Sequence, residues 1–81
     1  MELKDTIKLM NSEDYKERFK AEFYQLKIRY DKLRQLIINY EANRLDFIPS
    51  CSIEILKHQK KSMEEYLYFL EVRAAIEDIV L

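Results

Sequence analysis

Glycine is absent from this chain of 81 residues, tryptophan is absent too, and proline and cysteine each occur once. The phosphate-binding P-loop and the dinucleotide-binding fingerprint both need glycine, because the backbone must turn tightly and approach the ligand closely. Nucleotide-hydrolysing enzymes of those kinds are therefore excluded. The single cysteine, Cys51, cannot form an internal disulfide and fits a reducing cytosol.

Long hydrophobic runs and an excess of one charge are also missing. The chain begins MELKDTIKLM, which has no apolar run of signal-peptide length, and no stretch approaches the roughly 18 apolar residues of a membrane span. We expect a soluble, non-secreted chain that does not bind a membrane. With 14 basic and 15 acidic residues the net charge is −1, which argues against general nucleic-acid binding, since that requires many phosphates to be neutralised.

The residues that are present favour helices, because 48% are apolar, 36% are charged and none is glycine. We predict an all-α fold in one domain, residues 1–81, with a short leading segment (1–12) and two long helices (13–43 and 53–79) in an antiparallel hairpin. Pro49 excludes a helical conformation at Ile48, and Ser50 or Ser52 can cap the second long helix. We expect the apolar loop residues, such as Ile48 and Phe47, to fold back over the hairpin tip.

Apolar residues recur along both long helices at alternating steps of four and three, which is typical of helices that pack along their whole length. In the first long helix the row is Phe19, Phe23, Leu26, Tyr30, Leu33, Ile37 and Tyr40, with Tyr24, Ile28 and Ile38 outside it as a second contact surface. In the second the row is Leu56, Gln59, Met63, Tyr66, Leu70 and Arg73, flanked by Ile55, Leu67, Phe69 and Ile76. Two helices cannot enclose so wide an apolar face, so we expect oligomerisation through helix faces.

No enzyme or cofactor is predicted. The neighbouring carboxylates of the second long helix point in different directions, and no Ser–His–acid or Cys–His set has a scaffold to hold it. Cys51 and His58 alone do not define a zinc site. The basic cluster Lys57, His58, Lys60 and Lys61 could receive phosphates or an acidic protein surface, although a charged helix face is more often simply solvated.

Gln59 and Arg73 are polar members of an apolar row. A glutamine there can set the register of a helical assembly. Arg73 can pair with Glu77 one turn on, or with Glu17 or Glu22 across the hairpin. Alternatively, its planar fork of donors beside aromatic rings suits a phosphate or a base edge, and the rings of Tyr15, Phe19 or Tyr66 could stack on a ligand.

The pattern Leu56-x-x-Gln59-x-x-x-Met63-x-x-Tyr66-x-x-x-Leu70-x-x-Arg73, preceded by DYKERF in the first long helix, resembles a small phage helical-hairpin family. That family includes anti-CBASS and anti-Thoeris sponge proteins and related crAss-like phage proteins. The resemblance implies a hairpin that forms dimers and then higher oligomers, with a hexamer as the expected form. It also implies that a cyclic oligonucleotide or cyclic ADP-ribose-type signal is bound between protomers and is not cut.

The resemblance assigns the phosphate contact to Arg73, with Tyr15 as a candidate for base stacking and Lys32 as a second candidate for phosphate contact. It implies action in the cytoplasm of an infected bacterial host. Two other hypotheses remain open from the residues alone. One is a protein-binding module that docks a helix face on a host defence protein, and the other is a purely structural coiled-coil adaptor.

Overall fold

The computed structural model describes residues 1–81 and is all-helical, as predicted. A 3-10 turn, Leu3–Thr6, leads into α1 (Ile7–Met10), and two long helices follow, α2 (Tyr15–Glu41) and α3 (Ile53–Ile76). Contacts between the long helices join residues early in α2 to residues late in α3, so the pair is antiparallel. The all-α class, the short N-terminal helix and the two packed long helices are confirmed. No helix is long and apolar enough to cross a membrane.

Side-chain caps set the start of each long helix. The Asp14 carboxylate accepts a hydrogen bond from the Lys16 amide at 2.9 Å, and the Ser52 hydroxyl accepts one from the Ile55 amide at 3.3 Å. Each cap satisfies an amide that the helix itself leaves unpaired. Ser52 is thus the cap of α3, and α2 begins two residues after the predicted position.

α3 ends at Ile76, three residues before the predicted end at residue 79. The cause is Asp78, whose φ of 55° reverses the chain. The Ile79 amide then donates to the Ala74 carbonyl at 2.8 Å, and the Ile79 side chain is buried. α2 ends in the same way, two residues early, because Asn43 has a φ of 57°. In this chain without glycine, Asn43 and Asp78 adopt the left-handed conformation that ends each long helix, because Asn and Asp tolerate it better than most other residues.

The core lies between α2 and α3. Its fully buried residues are Phe19, Phe23, Leu67, Leu70, Ala74 and Ile79. The predicted row of α2 is confirmed at Phe19 and Phe23, but the predicted row of α3 is wrong at Gln59, Tyr66 and Arg73, which are exposed. The row of α3 that faces α2 runs instead through Leu56, Met63, Leu67, Leu70 and Ala74.

The leading segment, residues 3–10, packs on the side of α2 opposite to α3. Thr6 is 1% exposed; its hydroxyl donates to the Leu3 carbonyl at 2.7 Å and accepts from Gln25 Nε2 at 3.0 Å. Ile28 lines a depression with Leu3 on the same side. The predicted second contact surface of α2 is therefore used in part within the chain.

The connection between the long helices leaves apolar side chains exposed. Phe47 is 55% exposed and Ile48 is 94% exposed, while Leu45 and Pro49 are half-buried. The expectation that Phe47 and Ile48 fold back over the tip is wrong, because both side chains stay exposed where Pro49 disfavours a helical conformation at Ile48. The tip is thus an apolar surface at the end of the hairpin furthest from the chain's C-terminus.

Candidate functional site

Arg73, Tyr15 and Glu77 form a closed set of hydrogen bonds at the open end of the hairpin. Arg73 Nη2 donates to Tyr15 Oη at 2.8 Å, and Arg73 Nε donates to Glu77 Oε2 at 3.3 Å. Tyr15 Oη in turn donates to Glu77 Oε1 at 2.8 Å. Tyr15 is the first residue of α2 and Arg73 lies in the last turn of α3, so the antiparallel packing brings them together. Of the pairings open to Arg73, the structure selects Glu77.

The ring of Phe19 forms the floor of this cluster. The Arg73 guanidinium carbon lies 4.9 Å from the Phe19 ring centroid, a cation–π contact, and Tyr15 packs edge-on against the same ring with centroids 6.3 Å apart. Phe19 is 3% exposed and belongs to the core. The guanidinium is therefore held over a rigid surface, and its position follows from the packing of the fold.

The electrostatics of the cluster preserve the positive charge of Arg73. Burial acts to lower the pKa of Arg73, but the hydrogen bond to Glu77 and the interaction with Tyr15 leave that pKa above its ordinary value. The pKa of Tyr15 is raised, chiefly because its hydroxyl donates to the Glu77 carboxylate. The Arg73 side chain is 48% exposed, and its Nη1 has no hydrogen-bond partner within the chain. One edge of the fork is thus open to an incoming anion.

Tyr66 lies seven residues before Arg73, two helical turns, and on the same side of α3. Its hydroxyl donates a hydrogen bond to the Glu22 carboxylate of α2, which raises the pKa of Tyr66 above its ordinary value, as does burial. The residue is 45% exposed. Its tethered ring is available for stacking about 10 Å from Arg73, given the rise of 1.5 Å per residue.

Lys32, the second candidate for a phosphate contact, lies apart from this cluster. It follows Phe19 by thirteen residues, or about 20 Å along α2. It also lies on the side of α2 that faces the leading segment, where it lines a depression with Met1 and Ile28. A single chain therefore brings Tyr15 to Arg73 and does not bring Lys32 to either of them.

The basic cluster of α3 is partly neutralised. Lys57 pairs with Glu41 of α2 at 2.6 Å, and Lys60 pairs with Glu64 one turn on at 2.7 Å. The hydrogen bond to Glu41 raises the pKa of Lys57. His58 and Lys61 are exposed and make no ion pair. Two of the four basic residues are thus already paired with carboxylates within the chain.

Sequence reasoning missed the role of tyrosine–glutamate pairs in the hairpin. Besides Tyr15 with Glu77 and Tyr66 with Glu22, Tyr30 donates to Glu64 at 2.8 Å. Each pair joins the two long helices at the margin of the core. These pairs could have been found by aligning the two helices antiparallel. Each tyrosine at or beside an apolar row would then lie opposite a glutamate.

Comparison with known proteins gives one match. A family model described as Sequestin matches residues 13–76, which include all of α2 and α3 and exclude the leading segment. No curated protein matches, and no solved structure matches. The matched range contains Tyr15, Phe19, Tyr66 and Arg73 and ends one residue before Glu77.

Proposed function

Because this chain belongs to the Sequestin family, we propose that it sequesters a cyclic nucleotide immune signal, a cyclic oligonucleotide or a cyclic ADP-ribose-type molecule, without changing it chemically. In this proposal the protein is a phage anti-defence factor in the cytoplasm of an infected bacterial host. It lowers the concentration of free signal below the level that the host effector needs. The coarser statement, that the chain sequesters a ligand or a partner, is what the family name indicates.

The observation that carries the proposal is the Arg73 guanidinium, held by Tyr15 and Glu77 over the Phe19 ring with one edge open. A cyclic nucleotide offers a phosphate to that edge, and hydrogen bonds to charged groups contribute about 1.5–3 kcal/mol each. It also offers a base to the exposed ring of Tyr66 or Tyr15, and stacking contributes about 1–3 kcal/mol per base. Because these side chains are already ordered, little entropy is lost when they bind.

The same cluster supports binding in preference to catalysis. Its one carboxylate, Glu77, is engaged by Arg73 and Tyr15. Its tyrosine hydroxyl donates to that carboxylate, and this hydrogen bond raises the pKa of Tyr15, so the hydroxyl keeps its proton and does not serve as a general base near neutral pH. Sequestration therefore requires stoichiometric protein, with a dissociation constant below the signal concentration that activates the effector.

A homo-oligomer completes the proposal. Lys32 lies about 20 Å along α2 from the Arg73 cluster, so it can contact the same ligand only when a second copy supplies it. An assembly of several copies, a hexamer in the form that the resemblance implies, would place ligands between protomers. Arg73 and Tyr15 are then contributed by one copy and Lys32 by another.

The test is thermal unfolding of the purified protein against a panel of cyclic dinucleotides, cyclic trinucleotides and cyclic ADP-ribose isomers. A ligand at one hundred times its dissociation constant stabilises the folded state by about 2.7 kcal/mol. We expect one class of ligand to raise the midpoint, Arg73→Ala to abolish the increase, and Arg44→Ala, which removes an exposed arginine at the far end of the hairpin, to retain it.

Chromatography of the supernatant after heat denaturation then shows whether the ligand is released intact. Recovery of a cleaved product would overturn the non-catalytic mechanism. A protein that no member of the panel stabilises would overturn the choice of ligand class.

An alternative function is inhibition of a host defence protein by direct helix-face binding. It is favoured by exposed apolar side chains away from the Arg73 cluster, namely Ile38 on α2, which is 40% exposed, and Phe47 and Ile48 at the tip. In that case Ile38→Glu would abolish protection of the phage and Arg73→Ala would not. The opposite pattern supports sequestration of a nucleotide.

A further inference from the structure

A shallow groove lies along the last turns of α2, at the tip end of the hairpin and away from the Arg73 cluster. It has a volume of about 310 Å³ and is lined by Lys32, Gln35, Leu36, Asn39, Leu45 and Phe47. That volume is at the lower end of the range for small-ligand pockets, about 300–1,000 Å³. The groove is formed within one chain, so a small ligand can occupy it without a second copy.

The connection between the long helices supplies one wall of the groove, and the end of α2 fixes that wall. Asn43 has a φ of 57°, and the Arg44 amide then donates to the Asn39 carbonyl at 2.7 Å. This is the usual left-handed end of a helix, which turns the chain sharply. The connection therefore runs beside α2, where Leu45 and Phe47 line the groove. Because backbone hydrogen bonds set this wall, little ordering is left for a ligand to impose.

Two side-chain amides one helical turn apart present a donor and an acceptor to the groove. Gln35 Nε2 donates to Asn39 Oδ1 at 3.0 Å. This contact leaves Gln35 Oε1 as an acceptor and Asn39 Nδ2 as a donor, and neither atom has another partner within the chain. Adenine presents an amino donor next to a ring-nitrogen acceptor, whereas the corresponding edge of guanine presents two acceptors. The amide pair is therefore complementary to adenine.

An aromatic ring and a lysine complete the groove. Phe47 is 55% exposed, and unpaired bases commonly stack on such rings. Lys32 lies seven residues before Asn39, about 10 Å along α2. It makes no ion pair within the chain, and no acidic residue lines the groove. The groove thus offers a ring to a base, an amide pair to the edge of that base, and an unpaired ammonium group to a phosphate.

We propose that this groove binds an adenine nucleotide, with the base stacked on Phe47, its edge against Gln35 and Asn39, and a phosphate on Lys32. The inference deepens the proposed function and rests on it for the class of ligand, because it names adenine as a base of the sequestered signal. A signal with two phosphates then contacts Lys32 with one of them and Arg73 of another copy with the other.

Nuclear magnetic resonance of the isotopically labelled protein, titrated with adenosine monophosphate (AMP), tests the groove directly. We expect the side-chain amide signals of Gln35 and Asn39 to shift as AMP is added, and the signal of Gln59, an exposed amide on α3, to stay in place. Guanosine monophosphate carries the same phosphate on a base that fits the amide pair less well, and it should bind about tenfold more weakly. Equal affinity for the two nucleotides, or no shift with AMP, would overturn the proposal.

Substitutions then assign each part of the groove. Phe47→Ala should weaken AMP binding about tenfold, whereas Phe69→Ala removes a ring of α3 that is 61% exposed and should leave AMP binding unchanged. Lys32→Ala should weaken the binding of AMP but not that of adenosine, which has no phosphate. Circular dichroism checks that the variants remain helical. Unchanged AMP affinity in Phe47→Ala would overturn the proposal.

The two ligand experiments separate this inference from the proposed function. If a cyclic nucleotide stabilises the protein through Arg73 and AMP does not bind, the groove proposal fails and sequestration stands. If AMP binds in the groove and no cyclic nucleotide stabilises the protein, the groove stands and the proposed signal is wrong.

Discussion

The phenolic oxygen of Tyr15 accepts a hydrogen bond from Arg73, although the two residues are 58 positions apart in the chain. The same oxygen donates to Glu77, so a single hydroxyl joins the first residue of α2 to the last turn of α3 and to the residue that follows it. The Tyr15 hydroxyl thus contributes both to closing the hairpin at this end and to orienting the guanidinium, together with Glu77 and the Phe19 ring. A change at Tyr15 should be visible in both stability and binding.

Tyr15→Phe removes that hydroxyl and keeps the ring. We expect the free energy of unfolding to fall, because a hydrogen bond between the two ends of the hairpin is lost, and ligand stabilisation to fall with it because Arg73 loses a partner. Urea denaturation followed by circular dichroism measures the first effect, and thermal shift measures the second. Tyr40→Phe is the control, since Tyr40 is 43% exposed and its hydroxyl makes no hydrogen bond within the chain. Equal losses in the two variants would contradict the prediction.

Glu77→Gln removes the carboxylate that competes with an anion for Arg73. We expect anion binding to strengthen, because the Arg73 Nε that Glu77 engages becomes available to the anion. Thermal-shift titration with inorganic pyrophosphate measures the change. Glu71→Gln alters the net charge equally at a carboxylate with no ion pair and should have a smaller effect. Weaker anion binding by Glu77→Gln would contradict this prediction. It would mean that Glu77 mainly orients the Arg73 guanidinium and does not compete with the anion.

Alkaline pH should lower the free energy of unfolding of the hairpin. The pKa values of Tyr15 and Tyr66 are raised mainly by hydrogen bonds to carboxylates, and that of Tyr30 mainly by burial. An unfolded tyrosine ionises near pH 10. Because the tyrosine pKa values are higher in the folded state, these tyrosines contribute their full stabilisation of the folded state below about pH 10. That contribution is lost as the pH rises through the folded pKa values. Ultraviolet titration of tyrosinate should show a late phase in the folded protein, and that phase should shrink in Tyr66→Phe. A late phase of the same size in that variant would contradict the assignment.

Leu70→Ala tests the corrected face of α3. Leu70 is 1% exposed and lies in the core cluster, so we expect the free energy of unfolding to fall by about 2–5 kcal/mol. Val80→Ala shortens a side chain that is 82% exposed and should change stability by less than about 0.5 kcal/mol. Chemical denaturation of both variants at one protein concentration gives the comparison. A loss below about 1 kcal/mol for Leu70→Ala would place the core elsewhere.

The packing of the first long helix could be predicted from the sequence, and that of the second could not. The row of α2 is buried at Phe19, Phe23 and Ile37, but its last member, Tyr40, is 43% exposed. In α3 apolar residues occur on every side of the helix, and residues 67–70 (Leu-Tyr-Phe-Leu) are all apolar or aromatic. Periodicity alone therefore does not identify the face that packs on α2. In the structure Leu67 and Leu70 are buried against α2, whereas Phe69 is 61% exposed.

The site was also predicted in part. The proximity of Tyr15 to Arg73 follows from antiparallel pairing of helices of similar length. The separation of Lys32 from Arg73 was also within reach of the sequence, because thirteen residues of helix place Lys32 about 20 Å from Phe19. The docking of the leading segment on α2 through Thr6 and Gln25 could not be foreseen, because it is a polar contact that no hydrophobic pattern signals. The early end of α3 could not be predicted either. Helices commonly end at a glycine in the left-handed conformation, and here that position is taken by Asp78, which the sequence does not single out.

The leading segment limits how the protein can grow into a larger particle. Residues 3–10 pack on the side of α2 opposite to α3, so that side is not available to a further copy while the segment is docked. Exposed apolar side chains remain elsewhere, on α2 at Ile38, on α3 at Phe69 and Ile76, and at the tip at Phe47 and Ile48. Any larger assembly of this chain must use those surfaces, and removal of residues 1–10 would add the covered side of α2 to them.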